Sequence, residues 1–175
     1  MSGCMSALRG MGTVELCEGL EQLKNEHPPL LAQLEGLLKL VNLIEAEVEV
    51  QENFKGLTSK TQEFISDLGP HSDREEGVLF EMMEQYIGRT SGPIAVMEYE
   101  HDRAKALIGN YLAATGNEDK NFTIEEIIVL ANKIKEAYYT LTEHFAKEEN
   151  VLFPMAQRML SEDEKSELHR RIQEI

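Results

Sequence analysis

The chain has no tryptophan, only two cysteines and five prolines, and aromatic residues fill 6% of its 175 positions. Each shortage excludes something. With so few aromatics the core must come from Leu, Ile, Met and Ala, a mixture that suits helices better than sheets. Cys4 and Cys17 sit near one end, and two cysteines so placed make neither a disulfide framework, a zinc ribbon nor a CxxC redox pair. Nowhere do about 18 apolar residues run together, as a membrane span needs. The opening MSGCMSALRGMG lacks the apolar stretch of a secretory signal, so the cytoplasm is the expected compartment. Positive charge is scarce too: 17 Lys and Arg stand against 32 Asp and Glu, for a net charge of −15. Such a surface repels phosphate backbones and anionic lipid headgroups. No basic face or recognition helix offsets it, so neither nucleic acid nor membrane is an expected partner.

What is present is 42% hydrophobic and 28% charged, the make-up of an ordinary globular domain. A chain of this length buries a core without staples. Residues 1–12 read as a flexible leader and 13–175 as one domain. Between Thr13 and Asn25, Val14, Cys17, Leu20 and Leu23 trace a short helix, and Leu30, Leu34, Leu37, Val41 and Ile44 trace a longer one. Pro28 and Pro29 lie between them and predict a bend near His27. A stretch over 51–87, interrupted at Gly69-Pro70, carries the column Phe64, Leu68, Val78, Leu79, Met82 and Tyr86. After a turn over Thr90-Ser91-Gly92-Pro93, a third helix bears Ile94, Met97, Ala104, Ile108 and Tyr111. A fourth opens with a capping box, Thr123 with Glu126, and runs toward Met159; Ser161 with Glu164 starts a short last helix. No segment alternates with the period of a strand. The expected fold is all-α, an antiparallel up-down four-helix bundle with short extra N- and C-terminal helices.

Four histidines and two glutamates carry the chemistry. His71 to Glu75 and His144 to Glu148 are both H-x-x-x-E. Four helical residues turn through about 400°, so imidazole and carboxylate stack on one face and reach one metal cluster. Both pairs lie on apolar stripes, Phe64, Leu68, His71, Glu75, Leu79, Met82 and Leu141, His144, Glu148, Leu152, Met155. His101 falls between Met97 and Ala104 on its own core face. A bare carboxylate there costs several kcal/mol of desolvation unless it is protonated or neutralised by a cation. With four imidazoles beside two carboxylates, metal is the natural neutraliser. Glu76 and Glu149 lie about 100° further round and should turn aside. Glu26 and Glu100 read as surface residues or as acceptors that orient an imidazole.

The arrangement is doubled. HSDREEGVLFEM (71–82) and HFAKEENVLFPM (144–155) match in register at an offset of 73, and Glu26-His27 and Glu100-His101 at an offset of 74. Each half supplies a lone histidine on one helix and an H-x-x-x-E on the next, the pseudo-twofold logic of dinuclear carboxylate sites. The ferritin type uses E-x-x-H, found here once, from Glu98 to His101, and fits poorly. His169 beside Arg170 reads as exposed; Met82, Met83, Met97 and Met155 read as core filling. Tyr99, Tyr111 and Tyr138 read as packing residues before any oxygen path.

The two HxxxEExxLF segments and the two Glu-His dipeptides resemble the hemerythrin HHE cation-binding family over roughly residues 20–160. The resemblance implies that His27 and His71 bind one iron and His101 and His144 a second, with Glu75 and Glu148 bridging them. An oxo or hydroxo group would complete the centre. Zinc or manganese accept the same mixed donors and are possible substitutes. Oxygen-carrying hemerythrins have a fifth histidine where this chain has Lys105, and they end with HxxxxD instead of HxxxE. The present set is closer to bacterial di-iron proteins that repair iron–sulfur centres, which generally carry a small cysteine-containing N-terminal domain; here the leader holds only Cys4.

The implied partners are a diatomic ligand (oxygen or nitric oxide) or an iron-accepting protein. The alternative is a di-iron enzyme reducing peroxide or nitric oxide, which needs an electron donor for which the sequence shows no docking site. No catalytic residue is assigned. A metal-free bundle with a polar core is the third reading. Monomer and homodimer both stay open, because Leu168, Ile172 and Ile175 can dock on the bundle or on a second chain.

Overall fold

Helical periodicity in the sequence becomes helix along nearly the whole chain. The computed structural model describes residues 14–116 and 120–175; Cys4 and the leader expected over 1–12 lie outside the described residues. Helix α1 spans Glu18–Glu45 and α2 spans Val50–Arg74; a π-helical turn over Glu75–Leu79 leads into α3, Phe80–Ile87. Helix α4 is Pro93–Thr115 and α5 is Ile124–Lys147; a second π-helical turn, Glu148–Leu152, leads into α6, Phe153–Met159, and α7 covers Glu162–Ile172. Strands are absent among the described residues.

Two expected interruptions do not occur. Pro28 and Pro29 lie inside one unbroken α1, and Pro70 lies inside α2. A proline deletes one intrahelical hydrogen bond and frees a carbonyl. All three prolines are exposed, so solvent can take the freed carbonyls, while Leu20, Leu23, His27, Leu30 and Leu34 keep one buried stripe along α1. Burial of that stripe decides the outcome. The separate N-terminal helix expected before His27 is therefore the first turns of α1, and Cys17, a half-buried free thiol, precedes it.

The real irregularities are the π turns. The Phe80 N–H donates to the Glu75 carbonyl and the Phe153 N–H to the Glu148 carbonyl, each spanning five residues where an α-helix spans four. One extra residue per turn rotates everything beyond it. Tyr86, expected in the core column, is thus turned outward at 44% exposure, while Phe80 and Met83 are fully buried. In the second copy Phe153 and Ala156 are fully buried and Met155 is only partly so.

Short connections make the arms antiparallel, with α1 packed on α2 and α5, and α4 packed on α5 and α2. The turn from α1 to α2 puts Glu47 and Glu49 at φ 55° and 40°, and the Asn53 side chain braces it through the Val48 carbonyl at 2.8 Å. Both predicted capping boxes form, at Thr123 with Glu126 and at Ser161 with Glu164. Leu168 and Ile172 of α7 are buried on the bundle and Ile175 is exposed. Helix α7 approaches α1 so closely that a Cβ on Gly19 would lie 3.0 Å from Leu168 Cγ and 3.1 Å from the His169 backbone nitrogen.

The core falls into two apolar blocks. One holds Leu34, Leu57, Ile108 and Ile134; the other holds Leu23, Leu79, Met97 and Phe153. On every arm the histidine lies between a residue of one block and a residue of the other. Among the described residues, no helix is long and apolar enough to cross a membrane.

Candidate metal centre

Each arm delivers one histidine to the same layer. His27 comes from α1, His71 from α2, His101 from α4 and His144 from α5, with Glu75 and Glu148 opening the two π turns. All six are at most 1% exposed. The carboxylates divide their oxygens between two groups. Glu75 Oε1 is 3.3 Å from His71 Nε2 and its Oε2 is 3.4 Å from His101 Nε2. Glu148 Oε2 is 3.3 Å from His27 Nε2 and its Oε1 is 2.9 Å from His144 Nε2. Two four-residue clusters result: His27, His71, Glu75 and Glu148, and Glu75, His101, His144 and Glu148, each with donor atoms within 4.8 Å of one another.

The opposite nitrogen of every imidazole is already engaged. Nδ1–H donates to Glu149 from His27 (2.7 Å), to Glu26 from His71 (2.8 Å), to Glu76 from His101 (2.7 Å) and to Glu100 from His144 (3.1 Å). That tautomer leaves the Nε2 lone pair facing inward. The four Nε2 atoms and all four oxygens of Glu75 and Glu148 are buried without a hydrogen-bond partner. An unsatisfied buried polar group costs about 1–3 kcal/mol, so with neutral imidazoles the layer carries a large deficit, which protons on the imidazoles or bound cations would remove. The donor set, imidazole and carboxylate, fits a metal site.

The electrostatics favour the anionic forms of Glu148 and Glu76, and a carboxylate ligand must be anionic. Burial opposes ionisation of Glu148, but His144 and His27 hold its carboxyl below the usual range. Glu76 is pulled down to about 2, first by its hydrogen bond from His101 and further by Lys105, against burial. Burial also disfavours charge on His101, yet Glu75 and Glu76 lift it to about 9. His27 is raised in the same way, with Glu148 and Glu149 overcoming burial.

Aromatic rings fix the imidazoles. Phe145 stacks on His27 at 4.4 Å and Phe153 lies 5.7 Å away, both at 22°. Phe80 stacks on His101 at 5.9 Å and 19°. Phe80 and Phe153 are the equivalent phenylalanines of the repeat, turned inward by the π turns.

Sequence reasoning missed those turns and the basic residues behind the glutamates. Arg74 bonds Glu26, Lys105 bonds Glu76 and Lys147 bonds Glu100. Arg74 and Lys147 each lie three residues after a repeat histidine, a regularity that does not by itself name the glutamate each touches. Lys105, at the position of the fifth histidine of oxygen carriers, serves Glu76 at 2.9 Å. His169, expected to be exposed, stands apart from the layer and is half-buried where α7 packs on α1, 3.7 Å from Glu18. Tyr111 bonds Thr58 at 2.9 Å, Tyr138 bonds Glu35 and Tyr99 is exposed.

Known proteins are similar to this chain. The iron-sulfur cluster repair proteins YtfE of Salmonella schwarzengrund (strain CVM19633) and Salmonella newport (strain SL254) are each 38% identical to this chain over 104 residues, covering 58% of it and 47% of the relative. The chain spans about half the length of the curated relatives it matches. The model of the hemerythrin HHE cation-binding domain matches residues 18–156, a span that holds all four buried histidines and both shared glutamates, and the chain belongs to that family.

Proposed function

We propose that the protein holds a pair of iron ions and supplies iron to damaged iron–sulfur centres. His27 and His71 bind one ion, His101 and His144 the other, and Glu75 and Glu148 span both. The observation that carries this reading is the division of each carboxylate, with one oxygen toward each histidine pair. A carboxylate so placed bridges two cations and balances the positive charge of both. The repair role is supported by the name of the relatives, iron-sulfur cluster repair protein. Bound iron would supply a transferable cation with redox chemistry; the chain orients four imidazoles, places two carboxylates between them and surrounds the layer with apolar side chains.

A second reading, reversible binding of oxygen or nitric oxide, has its own support. Two imidazoles and one oxygen from each shared carboxylate give every ion four protein donors, fewer than the six of octahedral iron. Room for a small ligand follows.

The test begins with anaerobic loading with ferrous iron, followed by metal analysis by plasma mass spectrometry. Loaded protein is then mixed with an apo iron–sulfur acceptor. About two irons per chain, together with recovery of the acceptor's cluster, is the expected result. No metal after loading sinks the metal centre. Iron that stays bound in the presence of the acceptor overturns the donor role and leaves the diatomic reading, which a nitric oxide titration of the same sample then checks.

A further inference from the structure

The ring of histidine–glutamate bonds is twofold in its geometry and not in its charge. Glu26, behind His71, is paired with Arg74 at 3.1 Å. Its counterpart Glu100, behind His144, is paired with Lys147. Glu76, behind His101, is paired with Lys105 at 2.9 Å. Glu149, behind His27, has an ion pair only with that histidine among the described residues. The offset of 74 that carries His27 onto His101 carries Leu31 onto Lys105, so a residue difference accounts for the missing cation. Behind the His27–His71 pair, two carboxylates meet one cation and a net negative charge remains. Behind the His101–His144 pair, two carboxylates meet two cations and none remains.

Two further observations lean the same way. The hydrogen bond from His144 to Glu100, at 3.1 Å, is the longest of the four. Phe145 stacks on His27 at 4.4 Å, its closest imidazole, and lies 5.7 Å from both His71, edge-on, and His144, tilted. An offset of 73 puts Ser72 at the equivalent place in the other half, and Ser72 is fully buried with its hydroxyl unpartnered.

We propose that the two half-sites hold metal unequally, and that the His101–His144 half is the weaker and releases its ion first. This rests on the two-ion reading above. An anionic acceptor on Nδ1–H makes an imidazole a stronger donor and adds negative potential behind the ligand. A cation seated on that acceptor cancels both effects. Changes in such outer partners move metal affinity by about 10–100-fold, enough to separate the two ions. One loosely held ion beside one tightly held ion suits a protein that gives up iron while keeping its fold.

The test uses protein loaded anaerobically with ferrous iron, its metal counted, then challenged with excess ferrous chelator while absorbance follows release. Two phases of equal amplitude, differing at least about tenfold in rate, are expected. Lys105→Leu restores the negative charge in the second half and should slow the fast phase toward the slow one. Glu149→Gln keeps an acceptor oxygen, removes the charge and should speed the slow phase toward the fast one. Both side chains are about one-third exposed, at 34% and 33%, so neither substitution opens the core. A single phase in the unaltered protein, or two phases that neither substitution moves, overturns the proposal. Failure to load two ions, seen in the count before chelator is added, sinks the two-ion reading beneath it.

Discussion

His27 and Glu149 are 122 residues apart in the chain and 2.7 Å apart in space. Their bond closes a ring around the bundle. Glu26 of α1 holds His71 of α2, Glu76 of the first π turn holds His101 of α4, Glu100 of α4 holds His144 of α5, and Glu149 of the second π turn returns to α1. Every arm gives one imidazole and receives another arm's carboxylate.

Shared and single-sided glutamates should respond differently to removal. Glu148→Ala deletes an oxygen from both half-sites, and metal content should fall from about two ions per chain to below one. Glu26→Ala leaves all six donors in place, so about two ions should still load, with affinity lowered about 10–100-fold. Plasma mass spectrometry and chelator competition on the two variants separate these outcomes. Equal metal loss in both would remove the distinction between bridging and orienting glutamates.

The metal-free protein should be most stable in mildly acidic solution. His101 is raised from 6.5 to about 9, so its contribution is complete below pH 6.5 and is lost as pH rises through 9. Glu76 is lowered from 4.5 to about 2, so its contribution is present above pH 4.5 and is lost as pH falls through 2. Melting temperature followed by circular dichroism should therefore plateau between those limits and decline on either side. Metal needs neutral imidazoles, so loading should abolish the alkaline decline. A metal-free melting temperature that climbs between pH 6.5 and 9 would contradict the ion-paired layer.

Gly19→Ala should destabilise the docking of α7. Alanine gains up to about 1 kcal/mol of helix propensity, but its methyl would press within 3.1 Å of the His169 backbone nitrogen. Backbone yields less readily than a side-chain tip, and overpacking costs about 1–3 kcal/mol. Faster amide exchange over residues 162–172, with little change in α4, is the expected readout. Unchanged exchange there would mean that α7 can shift freely.

Thr123→Ala removes the side-chain half of the capping box that starts α5. The expected cost is about 1 kcal/mol, a fall of about 2–4 °C in melting temperature for a chain of this size. Metal content should not change, because α5 is held at its far end by the central layer. A thermal melt and a metal count on one sample check both statements.

Much of the candidate site was legible because histidine and glutamate on a buried face leave a dense trace. Packing alone gives no reason to put histidine and glutamate on an apolar stripe and to repeat them at one offset, and the six residues meet as expected. Capping boxes were equally plain. Pro28, Pro29 and Pro70 misled because local backbone preference favours a break, whereas the buried stripe that overrides it is a tertiary effect. Tyr86 and Met155 misled through the π turns. A constant period of 3.6 residues places them inward, and no local propensity announces the extra residue that turns them away. Cations behind the glutamates were hidden for another reason, since Arg74 and Lys147 resemble any exposed basic residue until the glutamate they touch is known.

The ring has a consequence for ancestry. Residues 18–88 contain Glu26, His27, His71, Glu75 and Glu76, one of every part from which the layer is made. Two copies of that hairpin, related by a twofold axis, would supply four imidazoles, two shared carboxylates and four orienting ones. The arrangement is that of a symmetric hairpin dimer fused into one chain, and fusion freed each half to diverge. Leu31 against Lys105 and Ser72 against Phe145 are divergences that no true homodimer could carry.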